Sequence, residues 1–424
     1  MLSRLLTFIK EPTSANVIIN TLGNYVNIFF VALFALLLVR FMSPEQYGVL
    51  SVLLGIAYVL ANVLEFGTTA TIYSVIPPLY EKKSFQLYRF IKSTFYYQSL
   101  FSFIIIIILF ITFPYLDKVF FKTGAARWEL YLTAISVLLL IWQNFFTNIL
   151  FATKKFLKAN LYINIANLIK TIIIFYLNYT GFISVGIVMF VFGILGPIIF
   201  FLLILIRNRS LIPHFHIAEV HKEDFKFGYT MTYFAASQFY NLGLRMDLFL
   251  LSFFGLRQEV GYYGLAQKII LTIIASIVSI TQVLSPRFAS IQSKEDVKKE
   301  IKQAFYFLLL PTAIFIALYL TPKAVFELVF TKKYAFTADI SHSLTIAFVL
   351  NALGSIPMLY LLYTAKKPIY ILLTNILFFV IISVGSYWLI PQKGVFGPPI
   401  AILCAFIVAT VLQTAAMIYE YRKL

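Results

Sequence analysis

The sequence predicts an all-α polytopic membrane protein, with about twelve transmembrane helices in two six-helix lobes related by a parallel repeat around a central cavity. Three observations predict it. Hydrophobic residues make up 61% of the 424, and mean hydropathy is +0.90, whereas soluble domains are about 45–50% apolar. Apolar runs of about 20 residues, enough to cross a bilayer as helices, recur along the whole chain and leave no room for a soluble domain. The two halves also echo each other at a separation of 209 to 216 residues. Tyr47-Gly48 pairs with Tyr263-Gly264, Ala152-Thr153-Lys154-Lys155 with Thr364-Ala365-Lys366-Lys367, and Pro77 with Pro286. Six spans per half is an even number, so both halves face the same way, as in parallel-repeat transporters.

The predicted spans are 14–40, 46–76, 91–113, 128–151, 158–179, 182–206, 229–253, 260–284, 304–321, 338–363, 368–390 and 397–419. They define an N-terminal lobe (1–206), a cytoplasmic linker (207–228) and a C-terminal lobe (229–424). The longest links are 207–228 and 285–303. Of the 34 Lys and Arg, 22 fall on the side with both termini, nine on the other and three inside spans. By the positive-inside rule both termini are cytoplasmic. Met1–Lys10 reads as a short amphipathic segment at the interface, with no cleavable signal peptide.

The net charge of +17 does not point to nucleic acid, because the basic residues sit in short links between apolar spans rather than on a soluble stripe with stacking aromatics. The single cysteine, Cys404, lies in an apolar run and reads as a small core filler.

Five spans carry polar lines at helical spacing. They are Asn16, Asn20, Asn24 and Asn27; Asn62, Glu65, Thr69 and Tyr73; Asn160, Asn164, Asn167 and Thr171, with Lys170 adjoining; Ser237, Asn241 and Arg245; and Lys268, Thr272, Ser276, Ser279 and Gln282. Asn, Ser and Thr also join helices, at about 0.6 kcal/mol per bond. Charge is more telling. Glu65, Lys170, Arg245, Asp247 and Lys268 facing lipid would cost on the order of 12–17 kcal/mol together. A shared aqueous cavity removes most of that cost. With three cations against two anions it suits an anionic ligand. Arg245 and Lys268 each lie 8 residues from the outer end of a predicted span, about 12 Å deep at ~1.5 Å per residue. They are placed to grip one phosphate group, Arg bidentately and Lys as a point charge. The alternative is an Arg245–Asp247 pair that only pins neighbouring helices.

No G-x-x-x-x-G-K-[ST], C-x-x-C or H-E-x-x-H motif occurs, and no cofactor is expected. His214, His216 and His221 share a loop with Glu219, Glu223 and Asp224, which reads as solvated loop rather than metal site. Pro197, Pro311 and Pro357 fall inside spans, where proline kinks helices.

The run Arg40-Phe41-Met42-Ser43-Pro44-Glu45-Gln46-Tyr47-Gly48 resembles the first external turn of bacterial Wzx-type polysaccharide-biosynthesis flippases, members of the multidrug/oligosaccharidyl-lipid/polysaccharide exporter (MOP) superfamily. Glu65-Phe66-Gly67 is similar to that family's acidic-x-Gly signature, where Asp is more usual, and Asp247 to its frequent seventh-helix Asp. Glu259-Val260-Gly261-Tyr262-Tyr263-Gly264-Leu265-Ala266-Gln267-Lys268 resembles its eighth-helix pattern, and Pro286-Arg287 the cytoplasmic end of that helix.

The resemblance implies a cavity lined largely by the first, second, seventh and eighth helices, four of the five that carry polar lines. The substrate it implies is a polyprenyl-diphosphate-linked oligosaccharide, flipped across the bacterial cytoplasmic membrane for O-antigen, capsule or exopolysaccharide synthesis. The expected site comprises Arg245 and Lys268 on the diphosphate, Asp247 and Glu65 as counter-charges or carriers of Na⁺ or H⁺, and Lys170, Asn24 and Asn241 in the cavity wall. Polysaccharide polymerase machinery is an expected partner. A cation-exporting drug transporter of the same superfamily would favour an acidic cavity. A glycan polymerase or ligase would need a larger external loop than the 14 and 16 residues of Pro114–Arg127 and Pro322–Thr337.

Overall fold

A computed structural model of the chain describes residues 12–65, 67–82, 85–207, 218–224, 227–289, 291 and 293–423. The readings made for Met1–Lys10, His214 and His216, and for the side chains of Asn16, Asn20, Ser237, Ser279 and Gln282, lie outside the described set. Among the described residues there is no β-strand. The helices are α1 (Pro12–Phe41), α2 (Pro44–Val63), α3 (Thr68–Glu81), α4 (Gln86–Leu116), α5 (Arg127–Ala152), α6 (Phe156–Tyr179), α7 (Val185–Met189), α8 (Gly196–Arg207), α9 (Phe227–Phe253), α10 (Arg257–Ala289), α11 (Lys294–Leu320), α12 (Lys323–Phe330), α13 (Thr337–Leu359), α14 (Pro368–Lys393) and α15 (Gly397–Lys423).

Ten described segments are long and apolar enough to cross a membrane, the last of them, Pro368–Lys423, holding both α14 and α15. Separating these two at Gly394, where φ is +57°, and adding the 27-residue α9 gives twelve. The chain is a multi-pass membrane protein. Its lipid-facing surface is visible on α4, where Ile104, Ile107, Ile108 and Ile111 are all exposed, Ile111 at 73%.

The element starts follow from local chemistry. The Ser-Pro-Glu-Gln run opens α2 as a capping box. The Gln46 N–H donates to Ser43 Oγ at 3.3 Å, and the Ser43 N–H donates to Gln46 Oε1 at 3.2 Å, with Pro at the first helical position. Ser293 caps α11, its Oγ accepting from the Asp296 N–H at 3.1 Å. Irregular helix turns lie next to two of the prolines. A π-helical turn, Tyr360–Thr364, follows Pro357, and another, Phe190–Leu195, precedes Pro197. Proline removes a backbone donor, and a wide turn absorbs the mismatch.

The structure corrects four sequence expectations. The second span is two helices, broken between Val63 and Thr68 with Gly67 at φ +72°, so Asn62, Glu65, Thr69 and Tyr73 do not lie on one continuous helix. Most of the 285–303 link is helical, because α10 runs to Ala289 and the Lys- and Glu-rich start of α11 is an exposed extension of the ninth span. The outer link after Pro322 contains α12. Cys404 is exposed on α15 rather than filling the core.

The chain forms two compact units. One comprises Met1–Phe34, Leu53–Tyr115 and Ala125–Thr232; the other comprises Ala35–Val52, Leu116–Gly124 and Tyr233–Leu424. The first is held by clusters such as Ala57, Ala61, Ile106, Val137 and Ile141, and Ile72, Ile76, Phe90 and Phe145. The second is threaded by an aromatic chain, Phe315–Phe348–Phe406–Phe378, at centroid spacings of 6.2, 5.2 and 4.9 Å. Such ring pairs add about 0.5–1.5 kcal/mol each beyond burial.

Within the second unit, the start of α2 crosses the start of α10. A Cβ on Gly48 would lie 2.5 Å from the Arg257 carbonyl oxygen, and one on Gly261 would overlap the Pro44 carbonyl. Tyr334 closes this crossing. It lies edge-on to both Tyr47 and Tyr262, at 5.9 Å from each, and donates to the Met42 carbonyl at 3.4 Å.

Candidate functional site

The second unit brings together Arg245, Asp247 and Lys268 through a residue that the polar-line reading passed over, Gln267. Asp247 on α9 is 1% exposed. Its carboxylate accepts from Tyr263 Oη at 2.6 Å, from Gln267 Nε2 at 3.0 Å to each oxygen, and from the Leu248 N–H at 2.6 Å. Gln267 Nε2 also donates to the Leu244 carbonyl at 2.8 Å. Gln267 Oε1 accepts from Arg245 Nη1 at 2.9 Å. One amide therefore reads both charges: its NH₂ faces the anion and its oxygen faces the cation.

This arrangement refines the expected Arg245–Asp247 pair. The carboxylate is buried and saturated with donors, which is how a buried charge is made tolerable. Arg245 is only half-buried, and Lys268, the residue after Gln267 on α10, is half-buried too. Two cations thus share one neighbourhood on adjacent helices, with Asp247 set behind them. Asn241, one turn before Arg245 on α9, is exposed. Gln267 is four residues after Tyr263, so both face Asp247 from one side of α10.

Replacing Gln267 by Leu strips Asp247 of two bonds and Arg245 of one. Each buried group left unsatisfied costs about 1–3 kcal/mol. Gln267→Leu is expected to lower the thermal unfolding midpoint of the purified protein clearly, while Gln267→Glu weakens the Asp247 side by placing two carboxylates together.

The remaining expected site residues belong to the first unit. Glu65 lies at the α2–α3 break, where its Oε2 accepts from Thr69 Oγ1 at 2.9 Å. Asn148 Nδ2 donates to Thr69 Oγ1 at 2.7 Å, and Tyr73 Oη donates to Asn148 Oδ1 at 3.2 Å. The result is a small polar cluster around one carboxylate. Lys170 sits among rings, its Nζ 5.3 Å from the Phe34 centroid and 5.1 Å from that of Phe192. Cation–π contact of this kind offsets part of the cost of a charge in an apolar bundle.

The Asn line beside Lys170 joins α6 to α1. Asn164 Nδ2 donates to the Gly23 carbonyl at 3.1 Å, and Asn167 Nδ2 donates to Asn27 Oδ1 at 2.9 Å. That line is packing within one unit. Asn24, next to it on α1, is exposed.

A family profile described as "Polysaccharide biosynthesis protein" matches residues 14–292. The chain belongs to the polysaccharide biosynthesis protein family. No curated protein sequence matches it. Among solved structures it is similar to the lipid II flippase MurJ in an inward closed conformation, at TM-score 0.72 and 16% identity, covering 96% of this chain and 89% of that one. It is also similar to an inward-facing MATE-family multidrug resistance transporter of the MOP superfamily, at TM-score 0.71 and 15% identity, covering 95% of each. A MOP superfamily transporter from Pyrococcus furiosus, described with a binding pocket of reverse polarity, matches at TM-score 0.59 and 14% identity, covering 98% and 97%. The fold of this polysaccharide biosynthesis protein is that of MOP-superfamily transporters.

Proposed function

We propose that the protein is a flippase for a polyprenyl-diphosphate-linked oligosaccharide, working by alternating access in the bacterial cytoplasmic membrane with both termini cytoplasmic. The observation that carries this reading is the Arg245–Gln267–Asp247 network, which holds half-buried Arg245 against α10 where half-buried Lys268 follows Gln267, in a polysaccharide biosynthesis protein. Phosphate oxygens satisfy both, the guanidinium by paired hydrogen bonds and the ammonium by charge. Gln267 and Asp247 position the guanidinium from behind. Access alternates between the two sides of the membrane, the glycan passes through a polar cavity, and the lipid tail stays in the bilayer. The likeness to MurJ, a lipid II flippase by its description, supports a lipid-linked substrate.

Glu65 and Asp247 act as counter-charges or exchange Na⁺ or H⁺, and polymerase machinery takes the product for O-antigen, capsule or exopolysaccharide synthesis. A strain lacking the gene is expected to lose surface glycan and to accumulate lipid-linked oligosaccharide. Normal surface glycan in that strain overturns the reading. The Glu65–Thr69–Asn148–Tyr73 cluster favours one second reading, export of organic cations, because a carboxylate in polar surroundings suits a cationic ligand. Drug hypersensitivity of the same strain with unchanged glycan would select it.

A further inference from the structure

One side of α11 carries a single line of side chains that changes character along its length. Lys302, Tyr306, Leu309, Ala313, Ile316 and Leu320 follow at steps of three and four residues, so they share one face of the helix. All six are exposed. Lys298 and Lys299 continue the line one turn before Lys302 and are exposed too. The other side of α11 is buried through Val297, Ala304, Leu308 and Phe315. An exposed face of Leu, Ala and Ile on a membrane helix suits lipid tails rather than a water-filled cavity. The three lysines therefore stand at the head of a lipid-facing line.

Length sets their depth. The apolar part of α11, Ala304–Leu320, has 17 residues and is about 26 Å long at ~1.5 Å per residue. The hydrocarbon core is about 30 Å thick, with a polar layer of roughly 5–8 Å on each side. Lys302 thus lies at the edge of the core. Lys299 and Lys298 lie about 4.5 and 6 Å further out, within the layer that holds the phosphates. Lysine stems lie along apolar surface while their ammonium groups reach that layer.

The neighbouring acids leave this charge uncompensated. Glu295 is on the same side but about 10 Å out from Lys302, past the polar layer. Asp296 and Glu300 point to the other side of the helix by their spacing, and Asp296 Oδ2 accepts from Ser293 Oγ at 2.7 Å. Among the described residues no ion pair takes up Lys298, Lys299 or Lys302. Lys294, further out still, has its Nζ 5.8 Å from the Tyr421 ring centroid.

We propose that Lys298, Lys299 and Lys302 form a docking site for an anionic phospholipid of the surrounding bilayer. The lysines hold its phosphate, and its acyl chains lie along Tyr306, Leu309 and Ile316. Three unpaired cations at phosphate depth favour a headgroup with net negative charge over a zwitterionic one, whose own amine competes for the phosphate. The apolar line from Tyr306 to Ile316 is about 15 Å long, one leaflet of hydrocarbon. That matches an ordinary acyl chain, whereas a polyprenyl chain is several times longer. The site follows from the helix and the bilayer alone and draws nothing from the flippase reading.

The test uses the full-length protein in phosphatidylcholine nanodiscs, with Tyr306→Trp as a reporter on the line. The same protein without that substitution gives the background of the native tryptophans. Quenching by acyl-brominated phosphatidylglycerol is compared with quenching by acyl-brominated phosphatidylcholine at equal mole fraction. The anionic lipid is expected to quench about twofold to threefold more strongly, because it is enriched beside the lysines. Adding Lys298→Gln, Lys299→Gln and Lys302→Gln together is expected to make the two lipids equal. Removing the same charge at Lys118, Lys332 and Lys333 is expected to leave the preference intact. High salt on the reporter protein alone should also bring the two lipids toward equality, which keeps the proposal testable if the triple variant misfolds. Equal quenching by the two lipids at low salt, or a preference that survives the triple variant, overturns the proposal. Displacement of the brominated phosphatidylglycerol by a trace of polyprenyl diphosphate also overturns it, since the line would then receive that lipid instead.

Discussion

Arg245→Ala is expected to abolish surface glycan in cells while the protein level in the membrane is unchanged. Arg245 is half-buried and donates from Nη1 to Gln267, and a guanidinium carries five donors in a planar fork that matches a phosphate. A hydrogen bond to a charged partner contributes about 1.5–3 kcal/mol, and tenfold corresponds to about 1.4 kcal/mol. Losing a bidentate phosphate contact therefore reduces substrate affinity by roughly tenfold to a hundredfold or more. Arg245→Lys keeps the charge but not the fork, so it should fall between alanine and wild type. Lys268→Met should cost less than Arg245→Ala. The double variant should lose less than the sum, because both act on one phosphate group. Glycan staining against immunoblot of the membrane fraction reads all four.

Gly261→Val is expected to prevent accumulation of folded protein. At this point α10 meets the start of α2, and a side-chain carbon at Gly261 would overlap the Pro44 carbonyl. The obstacle is backbone, held by the Ser43–Gln46 capping box, so it cannot swing aside as a flexible side chain would. Overpacking typically costs about 1–3 kcal/mol where side chains can yield, and here they cannot. Gly264→Ala is the comparison. Its obstacles are the Ser51 hydroxyl and Cβ, at 2.7 and 2.9 Å; the hydroxyl can rotate and a few tenths of an ångström of shift relieves the Cβ, so a drop of several degrees in the unfolding midpoint is expected. Fluorescence-detected size-exclusion profiles and thermal melts separate the two outcomes.

The fold was largely legible in the sequence because a membrane helix must satisfy its own backbone and present apolar side chains over a fixed length. What it hid were features that hydropathy does not encode. The break at Gly67 is read through because apolar stretches flank it, and Glu65 and Thr69 around it also fit a polar line on one continuous helix. The start of α11 looks like a link because Lys294, Lys298, Lys299 and Lys302 are polar, yet a water-exposed extension of a membrane helix has that composition.

Of the candidate site, Arg245, Asp247 and Lys268 stood out in sequence because each is a charge inside an apolar span. Gln267 did not, because an amide beside a lysine carries no charge to flag it, although it turns out to hold both Arg245 and Asp247. Lys170 shows the reverse. Its charge was plain in sequence, but the two rings beside its Nζ, Phe34 and Phe192, come from other helices and only the fold brings them there.

The most direct measurement is flipping by the purified protein in liposomes, using a fluorescent polyprenyl-diphosphate oligosaccharide whose glycan is cleaved by an externally added glycosidase. Wild type is expected to expose the inner-leaflet half of the substrate and carry cleavage toward completion, while Arg245→Ala and protein-free liposomes stop at the outer-leaflet half. Cleavage by the Arg245→Ala protein at the wild-type rate, or arrest of wild type at one half, would contradict the assignment of Arg245 and Lys268 as the diphosphate grip of a flippase.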